Sequence, residues 1–222
     1  MSWTFWIDRG GTFTDIVART PDGRRITRKW LSVDPGQYDD AAVHGMRAMM
    51  GVAPGAPFPA HAVDAIKMGT TVATNALLER KGAPTVLAIT AGFADALTIG
   101  TQHRPQLFAL RIVRPPPLHA VTVEIAERVD ADGAVLTPLD EPAAARDLQR
   151  AFDDGYRAIA IVLMHGDRHP GHERRLAALA RRIGFTQVSA SHEVSPLIKL
   201  VPRGDTTVCD AYLSPVLGGY VG

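Results

Sequence analysis

The first fifteen residues constrain this chain more than any other segment. A run of apolar and aromatic side chains, residues 3–7, predicts a buried strand, and the carboxylate of Asp8 follows it. Gly10 and Gly11 come next, and a glycine pair can reach positive φ values, which favours a tight hairpin turn. Apolar character returns at Phe13, so we predict a second strand that runs back along the first.

A glycine turn of this kind is typical of a phosphate-binding loop. It leaves backbone N–H groups free, and the glycines have no side chain to block an approaching phosphate. Thr12 and Thr14 add hydroxyl groups, while Asp8 and Asp15 carry the carboxylate oxygens that Mg²⁺ prefers as ligands. The alternative is an ordinary glycine hairpin with acidic residues on its surface, and the spacing alone does not choose between the two.

A second candidate site follows a strand that we predict at residues 62–68. Thr70 or Thr71 would cap a helix that begins near residue 71 and ends at Gly82. A helix that begins after a strand can bind an anion at its N-terminus, and Thr71 and Asn75 would share one of its faces. The alternative is that the two threonines only cap the helix.

Five segments resemble segments of the hydantoinase A/5-oxoprolinase family and occur in that family's order. They are residues 8–15, 68–82, 99–105, 127–130 and 201–205. A glycine loop alone would be weak support, whereas five matches in order are specific. The resemblance runs from the first residues to about Leu217 and so covers nearly the whole chain.

The resemblance implies an α/β fold with a mixed sheet. The fold would be the ribonuclease H-like ATPase lobe of actin, sugar kinases and Hsp70, with an associated α/β subdomain. The family region would be residues 1–217, with possible sublobes 1–65, 66–140 and 141–217, and residues 218–222 would be a truncated end. Expected partners are the missing C-terminal region and a hydantoinase B-type subunit.

The same resemblance implies an ATP-dependent enzyme that opens cyclic amides such as 5-oxoproline or a hydantoin. ATP would phosphorylate the carbonyl oxygen, and water would attack the activated imidate, with ATP and Mg²⁺ as cofactors. In such a phosphoryl transfer the protein contributes mainly placement and charge neutralisation. We expect the chain to be inactive alone. Two alternatives stay open: an ATPase-type subunit of an acetone or acetophenone carboxylase, and a non-catalytic fragment that docks a partner.

The resemblance also assigns residue roles. The catalytic residues would be Asp8, Thr12, Asp15, Thr71 and Asn75, with Asp8 as the Mg²⁺ ligand. The residues that bind the nucleotide would be Gly10, Gly11, Thr12, Thr14 and Thr70. Substrate contacts would come from Gln102, Arg104 and Arg203.

Gln102 and Arg104 lie in a segment of mixed polarity, residues 100–117, which contains four prolines and predicts a long irregular loop. Loops of this length inside a compact domain are often functional. The guanidinium of Arg104 could bind a substrate carboxylate through two hydrogen bonds. The simpler interpretation is that both residues are solvated loop residues.

Helices and strands alternate along the rest of the chain, which predicts an α/β architecture. Outside the segments above, the predicted strands are 24–32, 84–90, 121–129, 157–164 and 185–191. The predicted helices are 39–50, 141–154, 170–183 and one that begins at residue 206. Residues 157–164 are the most apolar of the strands and should be central in a sheet.

One histidine-rich segment has side chains of the types that bind metals. They are His165, Asp167, His169, His172 and Glu173. These residues span a strand end, a loop and a helix start instead of one helix face. We therefore do not predict a metal site there.

Composition excludes several classes of protein. With 46% hydrophobic and 21% charged residues and a net charge of +1, the chain is globular in character and gives no reason to expect nucleic acid or a membrane as a partner. The motifs of esterases, dinucleotide-binding proteins and P-loop enzymes are absent from the sequence. Its one cysteine, Cys209, cannot form an internal disulfide, so we expect a cytoplasmic location and a packing role for Cys209.

Overall fold

The computed structural model describes residues 2–101, 108, 110–111 and 115–221. The chain divides into two compact units, residues 1–79 and residues 80–222. Both units combine helices with sheets, which confirms the predicted α/β class. In the described part of the chain, no helix is long and apolar enough to cross a membrane.

The first unit is built on a four-stranded sheet with the order β3-β2-β1-β4. Its elements are β1 (Trp3–Arg9), β2 (Phe13–Arg19), β3 (Arg25–Leu31), α1 (Ala41–Met50), β4 (Val63–Thr70) and α2 (Val72–Leu78), with a short 3-10 helix at Ala60–Ala62. The first three strands form an antiparallel meander, and β4 runs parallel to β1. The sheet is therefore mixed, as predicted.

One face of this sheet packs against α1. The buried core between them consists of Phe5, Ile7, Ile16, Ala18, Ala42 and Met46. Because side chains alternate along a strand, Trp6 and Asp8 project from the opposite face, where both are exposed. The carboxylate of Asp40 caps α1 by accepting a 2.7 Å hydrogen bond from the N–H of Val43. Gly51 ends α1 in the left-handed conformation, with φ of 69°.

The second unit is built on a parallel sheet with the order β10-β9-β5-β6. Its elements are β5 (Thr85–Thr90), α3 (Ala96–Ile99), β6 (His119–Ile125), β7 (Arg128–Val129), β8 (Val135–Thr137), α4 (Glu141–Asp153), β9 (Ala158–Val162), α5 (Gly171–Ile183), β10 (Gln187–Ala190), α6 (Ser191–Val194) and α7 (Leu200–Val221). α4 and α5 cover one face of the sheet, and α3 and α7 cover the other. Every residue of β5 and β9 is buried, which confirms the central position predicted for residues 157–164.

The boundary between the units differs from the predicted sublobes. The sequence suggested divisions near residues 65 and 140, whereas the structure divides near residue 79. Residue 65 lies inside β4, which pairs with β1 and so belongs to the first unit. Residue 140 lies between β8 and α4, and α4 packs on the same sheet that contains β6.

Three predicted elements differ in extent. The helix predicted to begin at residue 206 begins six residues earlier, at Leu200. The helix predicted to end at Gly82 ends at Leu78, because Arg80 has a positive φ of 56° that does not continue a helix. The strand predicted over residues 121–129 is two strands: β6 ends at Ile125, and β7 pairs with β8 in a separate hairpin.

Candidate functional site

The β1–β2 turn contains Gly10 and Gly11, as predicted, but positive φ values are not the reason that glycine is needed there. The N–H of Gly10 donates a 2.9 Å hydrogen bond to the carbonyl of Phe13. Neither Gly10 nor Gly11 has a positive φ, so the prediction of left-handed glycines is wrong. Space is the constraint instead. A Cβ atom at Gly10 would lie 3.0 Å from the carbonyl oxygen of Phe13, and one at Gly11 would lie 3.4 Å from Nδ2 of Asn75.

The tip of this turn presents unused backbone donors. Gly11 and Thr12 are exposed, and neither N–H group has a hydrogen-bond partner among the residues that the structure describes. Adjacent free N–H groups in a turn form a concave site for an anion. The turn therefore has free N–H groups, as expected of a glycine turn, and their use by a phosphate stays a prediction.

Ser32, which follows β3 directly, holds the turn from its buried side. The Ser32 hydroxyl donates a 2.6 Å hydrogen bond to the carbonyl of Gly10, and the Ser32 N–H donates a 2.8 Å bond to the carbonyl of Thr12. Sequence reasoning missed this residue, since a lone serine after a strand belongs to no motif.

Thr14 lies behind the turn and is fully buried. Its hydroxyl is 3.0 Å from the Ser32 hydroxyl. Because the single Ser32 proton is donated to a carbonyl, Thr14 is the donor in this contact. The sequence predicted that Thr14 binds the nucleotide, but its burial and its bond to Ser32 make it a support of the turn, so we do not include it among the proposed phosphate contacts.

Thr70, at the end of β4, connects the turn to α2. Its hydroxyl donates a 2.8 Å hydrogen bond to the carbonyl of Arg9 and accepts a 3.1 Å bond from the N–H of Val72. The Thr70 hydroxyl, which we expected to contact the nucleotide, therefore donates its proton to a protein carbonyl. Thr70 positions the turn and the start of the helix relative to each other.

Thr71 immediately precedes α2, and Asn75 lies on α2 beside the turn. The N–H of Asn75 donates to the carbonyl of Thr71 at 2.9 Å, so the two residues are one helical turn apart on one face, as predicted. No capping hydrogen bond is formed by the Thr71 side chain, which is exposed. The helix has only seven residues, so we assign its N-terminus no anion-binding role. What α2 adds to the site is the Thr71 hydroxyl and the Asn75 amide, the latter next to Gly11.

Two carboxylates lie side by side at the base of the turn. Asp8 and Asp15 are directly opposite each other in the β1–β2 register, so both side chains project from the same face of the sheet. Asp15 is 3.2 Å from the ammonium of Lys29, whereas no partner of the Asp8 carboxylate occurs among the described residues. Like charges opposite each other destabilise a sheet, and the Lys29 ammonium offsets part of this repulsion on the Asp15 side.

Arg9 fixes the base of the turn to α1. Its guanidinium lies 2.7 Å from the carboxylate of Asp40, the residue that caps α1. The Arg9 side chain is mostly buried. The hairpin is therefore connected to β3 through Ser32, to β4 through Thr70 and to α1 through Arg9, which makes it a rigid platform.

Arg203, predicted to contact substrate, is fully buried in the second unit. Its guanidinium donates to the Ser191 hydroxyl at 2.9 Å, the Asp167 carboxylate at 3.0 Å and the Leu163 carbonyl at 2.6 Å, and to two further carbonyls. A guanidinium bonded in this way joins neighbouring elements of the fold, and we do not include it in the proposed site. Gln102 and Arg104 lie outside the described residues.

Glu173 is also fully buried, and together with Arg203 it forms a buried charge cluster in the second unit. It accepts hydrogen bonds from the N–H of Leu163 at 2.8 Å, from the Ser191 hydroxyl at 2.6 Å and from the His192 imidazole at 2.7 Å. Arg203 and Glu173 share Ser191 as a partner. Together they tie the end of β9 to α5, α6 and α7.

Two histidines of the histidine-rich segment, His172 and His169, have separate partners. His172 contacts the buried carboxylate of Glu127 at 2.7 Å, and Thr90 donates a 2.5 Å hydrogen bond to the same carboxylate. His169 lies 3.2 Å from the carbonyl of Ala131. Within the ranges that the structure describes, no group of three His, Cys, Asp or Glu side chains could hold a metal ion.

Cys209 is half-buried in α7. Burial raises the pKa of its thiol above the usual range, and the nearby Asp210 carboxylate raises it further. A thiol held in its neutral form is a poor nucleophile. The packing role expected from the sequence agrees with this environment.

Known proteins with similar sequences and structures group around one family. The sequence profile of the hydantoinase/oxoprolinase N-terminal region matches residues 4–184. The chain is 41% identical to 5-oxoprolinase 1 of Arabidopsis thaliana over 98% of this chain and 19% of that protein. It also resembles the crystal structure of the ATP-dependent caprolactamase from Pseudomonas jessenii, with 33% identity and a TM-score of 0.79 over 98% of this chain and 32% of that chain.

An acetone carboxylase in its nucleotide-free form shares the fold alone, with a TM-score of 0.77 at 22% identity over 96% of this chain and 32% of that chain. The chain thus spans about a fifth of the 5-oxoprolinase and about a third of the two proteins of known structure. The family profile covers most of the chain, and the resemblance seen in the five sequence segments is confirmed. The chain belongs to the hydantoinase/oxoprolinase N-terminal region family.

Proposed function

We propose that this chain is the N-terminal, phosphate-binding part of an ATP-dependent enzyme that opens cyclic amides of the 5-oxoproline or hydantoin type. The observation that carries the proposal is the β1–β2 turn, where the free N–H groups of Gly11 and Thr12 lie next to the carboxylates of Asp8 and Asp15. The names of the related proteins, a 5-oxoprolinase and an ATP-dependent caprolactamase, support the reaction class.

The turn fits the phosphates of ATP by space and by charge. A side chain at Gly11 would approach the Asn75 amide, so the glycine keeps open the space that a phosphate would enter. The N–H groups of Gly11 and Thr12 would donate to phosphate oxygens, and Asn75 would add a side-chain donor. Fixed donors of this kind stabilise developing charge without reorganising during the reaction.

Asp8 fits a magnesium ion. Its carboxylate is exposed and has no partner among the described residues, and the adjacent Asp15 adds negative charge. Mg²⁺ keeps several water ligands and binds through one or two carboxylates together with substrate phosphates. When bound, it would neutralise phosphate charge. Asp8 would hold the hydrated ion, and Asp15 would assist while paired with Lys29.

The proposed reaction activates a carbonyl that is otherwise a poor electrophile. The γ-phosphoryl group would pass from ATP to the lactam carbonyl oxygen, with ADP as the leaving group. Water would add to the resulting imidate carbon, and the C–N bond would break to free the amine and leave an acyl phosphate. A second water would then release inorganic phosphate and the carboxylate. Thr71 and Asn75 would border the transferred group or the substrate, because they lie next to the turn on one face of α2. Their contribution would be placement, which is the main task of a protein in phosphoryl transfer.

The complete enzyme would contain more than this chain, because the relatives are several times longer. The proposed partners are the C-terminal region that the relatives carry and a hydantoinase B-type subunit. We expect the 222 residues alone to bind Mg-ATP weakly and not to turn it over. The single cysteine suits a reducing compartment, so a cytoplasmic location is part of the proposal.

A second candidate is the ATPase-type subunit of a ketone carboxylase, which the shared fold with acetone carboxylase favours. ATP hydrolysis by the complete enzyme proposed above separates the two candidates. We expect stimulation by 5-oxoproline or a hydantoin, and loss of that stimulation in Asp8→Asn. Stimulation only by a ketone with bicarbonate would establish the second candidate. ATP hydrolysis unaffected by Asp8→Asn would show that the proposed Mg²⁺ site at Asp8 is wrong.

A further inference from the structure

We infer that Ser32 is a positioning residue that directs the N–H group of Gly11 toward the phosphates, an inference that rests on the function proposed above. Ser32 is only 2% exposed, so it would not touch a ligand itself. It acts through the carbonyls of Gly10 and Thr12, which are the two backbone acceptors that it contacts.

The direction of the donors follows from peptide geometry. The described peptide bonds are trans, and in a trans peptide the N–H points opposite to the C=O of the same unit. The Gly10 carbonyl points to the Ser32 hydroxyl, so the Gly11 N–H points away from the buried side. The Thr12 carbonyl points to the Ser32 N–H, which fixes the Thr12–Phe13 peptide unit and so anchors the far side of the turn.

The hydroxyl is needed because glycine leaves the peptide free to rotate. Gly10 and Gly11 flank one peptide unit, and neither has a Cβ atom that would restrict it. Without the Ser32 hydroxyl, the Gly10 carbonyl would lose its buried partner and could turn toward the exposed side, where its oxygen would repel a phosphate. Thr14 strengthens the arrangement, since its proton goes to Ser32 and leaves the Ser32 proton for Gly10.

The test is a titration of the isotopically labelled chain with Mg-ATP, in which the amide NMR signals of the turn are monitored. Ser32→Ala should shift the Gly11 signal before ligand is added and weaken Mg-ATP binding about tenfold, the equivalent of one misdirected hydrogen bond to a charged group. Ser32→Thr keeps the hydroxyl and should restore most of the affinity. If Ser32→Ala does not fold, Ser32→Cys, which has a similar size but donates weakly, should show the same loss.

Ser189→Ala is the matched control. Ser189 is also 2% exposed, and its hydroxyl donates a 2.6 Å hydrogen bond to Asp210 in the second unit. Its removal should lower the thermal stability as Ser32→Ala does, while the Mg-ATP affinity stays at the wild-type value. A stability loss without an affinity loss in this control separates positioning from general folding.

Two results would contradict the inference, and they differ. If Ser32→Ala, or Ser32→Cys in its place, binds Mg-ATP as tightly as the wild type and leaves the Gly11 signal unmoved, the positioning role is wrong while the phosphate site stands. If millimolar Mg-ATP moves neither the Gly11 nor the Thr12 signal of the wild-type chain, the phosphate site itself is wrong, and the role of Ser32 is wrong with it.

Discussion

The two units use polar groups in opposite ways. In the first unit, the turn after β1 leaves the N–H groups of Gly11 and Thr12 and the carboxylate of Asp8 exposed and without partners in the described part of the chain. In the second unit, Glu173 and Arg203 are fully buried and make several hydrogen bonds each. Exposed, unused donors can bind a ligand, whereas buried, satisfied charges hold elements together.

The largest effect is expected from removing a charge of the buried cluster. Arg203→Met would leave Asp167 and the Leu163 carbonyl without their partner and should lower the free energy of unfolding by about 3–5 kcal/mol. Urea unfolding measures this, with the exposed Arg182→Met in α5 as the control, expected within about 0.5 kcal/mol of wild type. Equal stability of the two variants would mean that the cluster does not hold the second unit together.

The next effect should appear at the turn and affect binding more than folding. Gly11→Val would place a branched side chain against the Asn75 amide and in the space of a phosphate, and should weaken Mg-ATP binding more than about tenfold. Thr14→Ala removes the buried hydroxyl behind the turn and should mainly cost about 1 kcal/mol of stability. Similar, mild losses of affinity in both variants would show that Gly11 is only a turn residue.

These expectations depend on contacts that the sequence did not reveal. The strand, the glycine turn and the carboxylate pair could be predicted, because each follows from local pattern and strand register. The roles of Thr14 and Arg203 could not. A threonine in a glycine turn and an arginine after a loop have the same local sequence whether the side chain faces a ligand or the core, and only the packed structure separates the two.

The same limit explains why Ser32 and Arg9 were missed and why the unit boundary differed. The hydrogen bond from Ser32 to Gly10 and the ion pair between Arg9 and Asp40 join residues far apart in the chain. No local pattern encodes such pairs. The boundary near residue 79 likewise depends on β4 pairing with β1, a long-range contact.

A smaller effect is expected from the carboxylate pair. Asp8→Asn removes the charge that would hold Mg²⁺ and should weaken the magnesium dependence of ATP binding several-fold. It also relieves the repulsion from Asp15, so the free energy of unfolding should stay equal or rise by about 0.2–1 kcal/mol. Asp64→Asn, another exposed residue of the same unit, is the control and should change neither quantity. An unchanged magnesium dependence of ATP binding in Asp8→Asn would show that Asp8 does not hold Mg²⁺.

The smallest effect concerns the pH dependence of the second unit. Burial lowers the pKa of His119, in β6, below its usual value, so the folded state binds this proton less readily than the unfolded state does. The stability is therefore complete above about pH 6.5 and falls as the pH drops through that value. His119→Gln should reduce this fall, measured by thermal unfolding on both sides of that pH. An unchanged pH profile in the variant would show that burial of His119 does not contribute.

The most direct test of the account is the amide NMR map of the wild-type chain titrated with Mg-ATP. We predict saturable shifts at Gly11 and Thr12, weaker shifts without magnesium, and none there with adenosine, which lacks phosphates. The amides around Glu173 and Arg203 should stay in place, because that cluster has a structural role. Shifts confined to the second unit, or equal shifts with adenosine, would contradict the claim that the turn after β1 binds the phosphates of ATP.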